Sequence, residues 1–166
     1  MAIEKAILAA GCFWGVEAYF KKVKGVVNTE VGYCGGHKEN PTYEEVCTGN
    51  TGHAESILIE FDNEIVTYEE ILEHFWKIHD PTSLNRQGAD VGTQYRSAIF
   101  YLNDEQKEKA FKSKEQQEKS GKYKFSIVTR IEPAGKFWPA EEYHQDYLDK
   151  NPNGYCHVDL SLLDKE

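Results

Sequence analysis

The strongest candidate for a catalytic nucleophile in this sequence is Cys12, which lies within the stretch GCFWG at residues 11–15. The apolar run at residues 6–10 predicts a short buried strand before it, and residues 16–20 carry apolar side chains at helical spacing after it. The thiol is therefore expected at a strand-to-helix turn, flanked by glycines that permit a tight backbone. Because the unpaired N–H groups of a first helical turn favour an anion, this position can lower the pKa of a thiol toward the thiolate, which is the form that acts as a nucleophile.

Two large aromatic residues, Phe13 and Trp14, follow the cysteine. A fully exposed aromatic pair at an element boundary would be costly, so one interpretation is an apolar pocket beside a nucleophile. The alternative is a buried structural cysteine followed by two core aromatics, because free cysteine is often simply buried. The residue types alone leave both interpretations open.

Glu55 has the setting of a general acid. Residues 56–61 predict a strand, and its period of two places Glu55 on the same face as Ile57, Ile59 and Phe61. A carboxylate beside three apolar side chains is poorly solvated, so we expect its pKa to be raised. The alternative is a glutamate at a solvated strand end.

The other cysteines, Cys34, Cys47 and Cys156, form no Cys-x-x-Cys pair and no paired spacing typical of a metal site. Cys34 and Cys47 lie in a glycine-rich stretch at residues 32–52 and are interpreted as unreactive, since neither has a helix-start setting like that of Cys12. Cys156 lies on a C-terminal tail with little predicted structure, and a thiol on a tail is free to move.

Strands and loops must bring these residues together. Further strands are predicted for residues 26–31, 97–102 and 125–131. The strand, helix and strand at the start of the chain indicate an α/β unit. Residues 32–52 and 82–94, the second of which contains Asp90, are predicted as long loops of the kind that often carries function.

Helix starts are marked by two capping boxes, at residues 42–45 and 67–70. The first is expected to orient Tyr43, and the second opens a helix that packs on the core. Residues 103–120 predict a solvated outer helix, and Pro139 suits the first position of a short helix.

Composition limits the classes of function. The 166 residues fit one domain, and contents of 40% hydrophobic and 28% charged residues describe an ordinary globular protein. The net charge of −9 argues against nucleic acid or an anionic membrane as the main partner. No apolar run reaches the length of a bilayer span, and the N-terminus lacks the basic lead of a signal peptide, so we expect a cytoplasmic protein with reduced thiols.

The GCFWG stretch resembles the signature of the A-type peptide methionine sulfoxide reductases. Further blocks follow in the family's order, at residues 32–36 (GYCGG), 40–46 (NPTYEEV), 51–55 (TGHAE), 92–97 (GTQYRS), 140–147 (AEEYHQDY) and 154–156 (GYC). One matching pentapeptide could be chance, whereas six further blocks in register across nearly the whole chain are not.

The resemblance implies an α+β fold: a single-domain two-layer α/β sandwich with a mixed, mainly antiparallel sheet, a ferredoxin-like core and long loops. One catalytic domain is expected over residues 1–166, with a flexible C-terminal tail from about residue 151.

The resemblance also implies roles for individual residues. Cys12 attacks the sulfoxide sulfur, and Glu55 gives its oxygen a proton. The substrate-binding residues are the methyl-pocket pair Phe13 and Trp14, the oxygen-binding tyrosines Tyr43 and Tyr95, and Asp90, which helps to organise the site through water.

Cys156 matches the family's resolving cysteine, which condenses with a sulfenic acid on Cys12 to form a disulfide. Many relatives carry a further recycling cysteine downstream, but this chain ends at Glu166 without one. The disulfide is therefore expected to pass directly to a dithiol donor such as thioredoxin. The implied substrates are oxidised proteins, peptides or free methionine sulfoxide, and we expect a monomer that uses neither cofactor nor metal.

Three alternatives belong to other classes. A thiol peroxidase uses the same sulfenic acid chemistry but needs neither a methyl pocket nor a proton-donating glutamate. A regulatory binding module with a redox-sensing cysteine explains the thiols and not the ordered blocks. A zinc site is the weakest, since cysteines and histidines never cluster at ligand spacing, and His74 and His79 are interpreted as surface or satisfied histidines.

Overall fold

The computed structural model describes residues 2–88, 90–154 and 158. In chain order the elements are β1 (Ile3–Ala10), α1 (Phe13–Phe20), β2 (Val26–Cys34), α2 (Tyr43–Cys47), β3 (Ala54–Asp62), α3 (Tyr68–Lys77), β4 (Arg86–Gln87), β5 (Asp90–Val91), β6 (Ser97–Tyr101), α4 (Asp104–Lys119), β7 (Arg130–Pro133), β8 (Trp138–Pro139) and α5 (Tyr147–Lys150). Two 3₁₀ turns, Thr93–Tyr95 and Glu142–His144, precede β6 and α5. Among the described residues, no helix combines the length and the apolar character needed to cross a membrane.

The main sheet has the strand order β7-β6-β1-β3-β2-β8, and β4 pairs with β5 in a separate hairpin. All neighbours in the main sheet are antiparallel except β6 and β7. The elements β1, α1, β2, β3, α3 and β6 form a β-α-β-β-α-β succession with the order β6-β1-β3-β2, which is a ferredoxin-like core. The predicted α+β fold with a mixed, mainly antiparallel sheet is confirmed.

The strand β1 lies in the middle of the sheet, which explains its unbroken apolar sequence. Ala6, Leu8 and Ala10 pack in the larger core, together with the apolar side chains of α1 and α3. Ile7 and Ala9 point to the opposite face, where a smaller cluster includes Cys34, Ala54, Ala98 and Phe100. Because both faces of β1 are buried, alternation between apolar and polar residues is absent from it.

Two predicted helices are confirmed and begin where they were expected to begin. Helix α3 begins after a complete capping box on Thr67 and buries Ile71, Leu72, Phe75 and Trp76. Helix α4 begins where the Asn103 side chain accepts a hydrogen bond from the backbone N–H of Gln106 at 2.8 Å. Its few buried residues leave most of the helix solvated, as expected for an outer helix.

Strand β2 extends to Cys34, three residues into the stretch predicted as a loop. Gly32 and Tyr33 continue the sheet because they pair with Pro139 and Trp138 of β8 as well as with β3. The close approach requires glycine, since a Cβ at position 32 would lie 2.3 Å from the Trp138 carbonyl oxygen. The prediction that the loop starts at residue 32 and carries Cys34 is therefore wrong.

Two other predictions of local structure are wrong. The strand predicted at residues 125–131 begins only at Arg130, because the N–H of Val128 donates to the carbonyl oxygen of Pro81, outside the sheet. Pro139 does not start a helix but lies on the edge strand β8, where its missing N–H removes no ladder bond from the centre of the sheet. The loop predicted at residues 82–94 contains the β4–β5 hairpin and the first 3₁₀ turn.

Candidate active site

Cys12 lies where β1 meets α1. It is the N-cap residue of α1, with φ −55° and ψ 123°, and its side chain is 6% exposed. Gly11 before it has φ +95°, a conformation that glycine adopts without strain. The thiol therefore lies at the positive end of an eight-residue helix, as the sequence predicted.

Glu55 meets this turn from the neighbouring strand. The pairing of β1 with β3 runs up to Leu8 opposite Ile57, so the end of β1 adjoins the start of β3. The backbone N–H of Phe13 donates to Glu55 Oε1 at 3.2 Å, which joins the carboxyl group to the first turn of α1. The other oxygen, Oε2, accepts no hydrogen bond from the part of the chain that the structure describes.

Burial controls the protonation of Glu55. The residue is 1% exposed, and loss of solvation raises the pKa of its carboxyl group from 4.5 to about 8. The hydrogen bond from Phe13 lowers this pKa, and the negative charge of Asp90 raises it. Ile57, Ile59 and Phe61, predicted on the same face, are fully buried, so the expected apolar setting is present. At neutral pH the group is a carboxylic acid that has a proton to give.

Two tyrosines border the same carboxyl group. Burial and then the charge of Glu55 raise the phenol pKa of both Tyr43 and Tyr95, so both hydroxyl groups remain protonated donors. Tyr43 opens α2, whose start is fixed by a capping box on Thr42, and Tyr95 ends the first 3₁₀ turn.

Asp90, on β5, also lies near these groups. Its charge raises the pKa of Tyr95 as well as that of Glu55, and the charge of Cys12 acts on Tyr95 too. The structure therefore gathers a thiol, a neutral carboxyl group, two phenols and a carboxylate in one region.

Aromatic rings line the side of the site next to Cys12. Phe13 is buried, with its ring centroid 5.8 Å from that of Tyr33, 6.4 Å from Tyr43 and 5.2 Å from His144. Trp14 is partly exposed; its Nε1–H donates to His144 Nδ1 at 2.9 Å. Phe13 is thus part of the core, and Trp14 presents an apolar surface at its edge.

The comparisons with known proteins agree with this geometry. The family model described as "Peptide methionine sulfoxide reductase" matches residues 4–166. The curated "Peptide methionine sulfoxide reductase MsrA" of Methanothermobacter thermautotrophicus is 61% identical over 93% of this chain and 92% of its own length. The chain belongs to the peptide methionine sulfoxide reductase family.

Solved structures show the same fold. The crystal structure of Mxr1 from Saccharomyces cerevisiae in reduced form superposes with a TM-score of 0.87 at 41% identity, covering 95% of this chain and 91% of the yeast chain. A second yeast structure, Mxr1 in complex with Trx2, has a TM-score of 0.60 at 28% identity, with coverages of 87% and 84%. Members of this reductase family reduce methionine sulfoxide.

The sequence singled out eight site residues in this reductase, and the structure describes seven of them in one region: Cys12, Phe13, Trp14, Tyr43, Glu55, Asp90 and Tyr95. The eighth, Cys156, lies outside the described residues, as does most of the tail expected from about residue 151.

The two remaining cysteines differ in their surroundings. Cys34 is fully buried in the smaller core cluster, and burial raises the pKa of its thiol to about 11. Cys47 is exposed at the end of α2, and its thiol shares a hydrogen bond with the Tyr43 side chain. Burial raises the pKa of Cys47 as well, and neither thiol lies at the start of a helix as Cys12 does.

The histidines interpreted as satisfied are hydrogen-bonded. His74 Nδ1 lies 2.7 Å from the Tyr19 hydroxyl, and the two ring nitrogens of His79 lie 2.7 Å from the Phe75 carbonyl oxygen and from Ser97 Oγ. Within the described ranges, no group of three His, Cys, Asp or Glu side chains has the arrangement of a metal site.

Two further residues, Glu141 and His144, support the site but were not predicted from the sequence. Glu141 accepts from the Tyr33 hydroxyl at 2.8 Å and from the backbone N–H of Tyr43 at 2.9 Å, so it anchors the start of α2. His144 is fully buried beside Trp14, and burial lowers its pKa, which keeps the ring neutral. Both lie in the 140–147 block, but nothing in their local spacing distinguishes them, because their partners lie far away in the chain.

Proposed function

We propose that this chain reduces the S-epimer of methionine sulfoxide, free or in proteins, with Cys12 as the nucleophile and Glu55 as the proton donor. The observation that carries the proposal is the hydrogen bond between Phe13 N–H and Glu55, which fixes a buried, neutral carboxyl group beside the helix start that holds the thiol. A soft nucleophile and an acid are the two groups that sulfoxide reduction requires.

In the first step the Cys12 sulfur attacks the sulfoxide sulfur, while Glu55 gives a proton to the sulfoxide oxygen. The oxygen is transferred to Cys12 as a sulfenic acid, and methionine leaves with its sulfur reduced by two electrons. The proton lost by the thiol restores the acid form of Glu55, so the step balances without an external oxidant or reductant.

The other residues hold the substrate in this proposal. Tyr43 and Tyr95, whose hydroxyl groups remain protonated, donate hydrogen bonds to the sulfoxide oxygen. Phe13 and Trp14 provide the apolar surface for the methyl group. Asp90 helps to organise the polar side of the site through water. A chiral sulfur offers its oxygen and its methyl group to these fixed partners in only one arrangement, which is why a single epimer is reduced.

The second step resolves the sulfenic acid. The thiol of Cys156 displaces water from it and forms a Cys12–Cys156 disulfide, which a thioredoxin-type dithiol reduces by exchange. Support for such a donor comes from the yeast relative, which has been crystallised with Trx2. The electrons come from the dithiol, so no bound cofactor is needed.

We further propose that the enzyme acts as a monomer in the cytoplasm. Seven of the proposed site residues come from one chain, so no second copy is needed to complete their arrangement. Cys34 and Cys47 are thiols in this structure, the form that a reducing compartment maintains.

The decisive experiment is a thioredoxin-coupled assay with the resolved epimers of methionine sulfoxide. The S-epimer should be reduced and the R-epimer left almost untouched, and Cys12→Ser should abolish the reaction while the protein remains folded. Turnover of hydrogen peroxide in place of the sulfoxide identifies a thiol peroxidase, and turnover of neither substrate identifies a binding module. Substantial activity in folded Cys12→Ser would contradict the proposal.

A further inference from the structure

One face of α1 is bound to a segment more than a hundred residues away. We call residues 140–150 the C-terminal strap; it contains the second 3₁₀ turn and α5. Trp14, Glu17 and Lys21 are spaced by three and four residues, so they share the face of α1 that meets the strap. Trp14 stacks on Tyr147 with 3.8 Å between ring centroids, and Lys21 forms ion pairs with Asp146 and Asp149.

Glu17 lies at the centre of this face and is 2% exposed. Its Oε1 accepts from the backbone N–H of Asp146 at 2.7 Å, and its Oε2 accepts from the Thr29 hydroxyl at 2.8 Å. Burial raises the pKa of Glu17, while both hydrogen bonds lower it. A buried carboxyl group with a donor on each oxygen is a fixed anchor, because moving the strap would leave it without one of its partners.

The anchored residue has an unusual backbone. Asp146 adopts φ +54° and ψ +34°, the left-handed conformation that residues with a Cβ atom adopt far less readily than glycine. This turn separates the 3₁₀ turn that carries His144 from the helix that carries Tyr147. The direction of the chain at Asp146 therefore determines whether both rings reach Trp14.

We propose that Glu17 is a positioning residue for the substrate-binding surface: its carboxylate holds the Asp146 N–H, fixes the left-handed turn, and so sets His144 and Tyr147 against Trp14. The seam between α1 and the strap encloses no space for a water molecule, so small displacements of the strap are transmitted to the Trp14 ring. This inference rests on the proposed function, in which Trp14 binds the substrate methyl group. Glu17 itself touches no reacting atom.

The test is single-turnover reduction of the S-sulfoxide over a range of substrate concentrations. In Glu17→Gln the amide nitrogen turns to the Thr29 hydroxyl, which can accept from it, and the remaining oxygen makes a neutral hydrogen bond with the Asp146 N–H in place of a charge-assisted one. We expect the half-saturating concentration to rise about tenfold, roughly the difference between a charge-assisted and a neutral hydrogen bond, while the rate at saturation stays within about twofold of wild type. Glu60→Gln is the matched control, because it removes a carboxyl on β3 that bonds Asn28 and not the strap, and it should behave as wild type.

A double-mutant cycle with Tyr147→Leu separates positioning from a general loss of stability. If Glu17 acts through the ring stack, Glu17→Gln should add less than about a twofold effect in the Tyr147→Leu background. A full tenfold effect in that background, or an unchanged half-saturating concentration in Glu17→Gln, overturns the inference. Loss of activity in wild type would instead refute the proposed function, so the two failures are distinguishable.

A second pair of variants tests the same idea if Glu17→Gln fails to fold. Asp146→Gly and Asp146→Ala both remove one of the two ion-pair partners of Lys21 and both keep the backbone N–H, but only alanine disfavours the left-handed turn. We expect Asp146→Gly to keep the wild-type half-saturating concentration and Asp146→Ala to raise it several-fold, in proportion to the cost of the turn. Equal values for the two variants overturn the inference.

Discussion

The chemistry proposed for Glu55 follows from its surroundings rather than from its residue type. A solvated glutamate is ionised at neutral pH and has no proton to donate, whereas burial raises the pKa of Glu55 to about 8. The single hydrogen bond from Phe13 N–H opposes this shift without cancelling it. The same burial that holds the apolar strand face in the core therefore supplies an acid beside Cys12.

At this residue, Glu55→Gln keeps the shape of the side chain but cannot act as an acid. We expect the single-turnover rate to fall by about a hundredfold or more, as is typical when a general acid is lost. In wild type the rate should decrease as the pH rises through about 8, because Glu55 loses its proton there, and this decrease should be absent in the variant. A variant with the wild-type rate and pH profile would assign the proton to another group, with Tyr43 and Tyr95 tested next.

The same pKa predicts how stability depends on pH. Folded Glu55 holds its proton up to about pH 8, whereas the unfolded chain releases it near 4.5. The folded state therefore binds more protons between these values, so Glu55 makes the free energy of unfolding decrease as the pH rises across this window. Urea titrations of wild type and Glu55→Gln at several pH values should show a smaller decrease in the variant; equal pH dependences would contradict the raised pKa.

Helices α2 and α3 begin with the same capping motif but have different roles. Helices α2 and α3 each begin with a complete capping box, formed by Thr42 with Glu45 and by Thr67 with Glu70. Helix α3 packs its apolar face on the core, whereas α2 has five residues and presents Tyr43 to the site. Helices this short are marginal by themselves, so the orientation of Tyr43 depends on the cap and on Glu141, which binds the first N–H of α2.

Removing the N-cap of each helix tests this difference between α2 and α3. Thr67→Ala should lower the free energy of unfolding by about 1 kcal/mol, the usual cost of a lost N-cap, without changing kcat/KM. Thr42→Ala should cost little stability, because α2 is short and peripheral, but it should reduce kcat/KM several-fold by releasing Tyr43. Urea unfolding and steady-state kinetics on both proteins check this, and equal effects on activity would show that the cap of α2 does not serve the site.

At the scale of the whole molecule, the proposed mechanism requires a second thiol to reach Cys12. Cys34 is fully buried in the smaller core cluster, and the pKa values of both Cys34 and Cys47 are raised. Cys156 lies outside the described residues. Its proposed role as the resolving thiol therefore rests on the sequence alone.

We therefore expect Cys156→Ser to release about one methionine per Cys12 in a single turnover, because the attack does not require the second thiol. Turnover with thioredoxin should collapse, and a small thiol should restore much of it by reaching the sulfenic acid directly. The control, Cys34→Ser combined with Cys47→Ser, should keep nearly the wild-type rate. Peptide mapping after one turnover should find Cys12 joined to Cys156, and a dominant link to Cys47 would make the rim of α2 the resolving element.

Local patterns in the sequence determined much of the fold. The turn that holds Cys12, the capping boxes at Thr42 and Thr67, and the apolar face shared by Glu55 all depend on spacings of two to four residues within one element. Such spacings translate directly into which side chains face the core, so they are readable without tertiary information. The family resemblance then linked these separate elements to one chemistry.

The tertiary structure determined the contacts between residues of different elements. The extension of β2 to Cys34, the strand pairing of Pro139, and the contacts of Glu17 and Glu141 with their partners all join residues distant in the chain. The hydrogen bond from Trp14 to His144, for example, spans 130 positions. No local period records a contact of that range, because the burial, pKa and orientation of each partner are set only when the sheet, α1 and the C-terminal strap pack together.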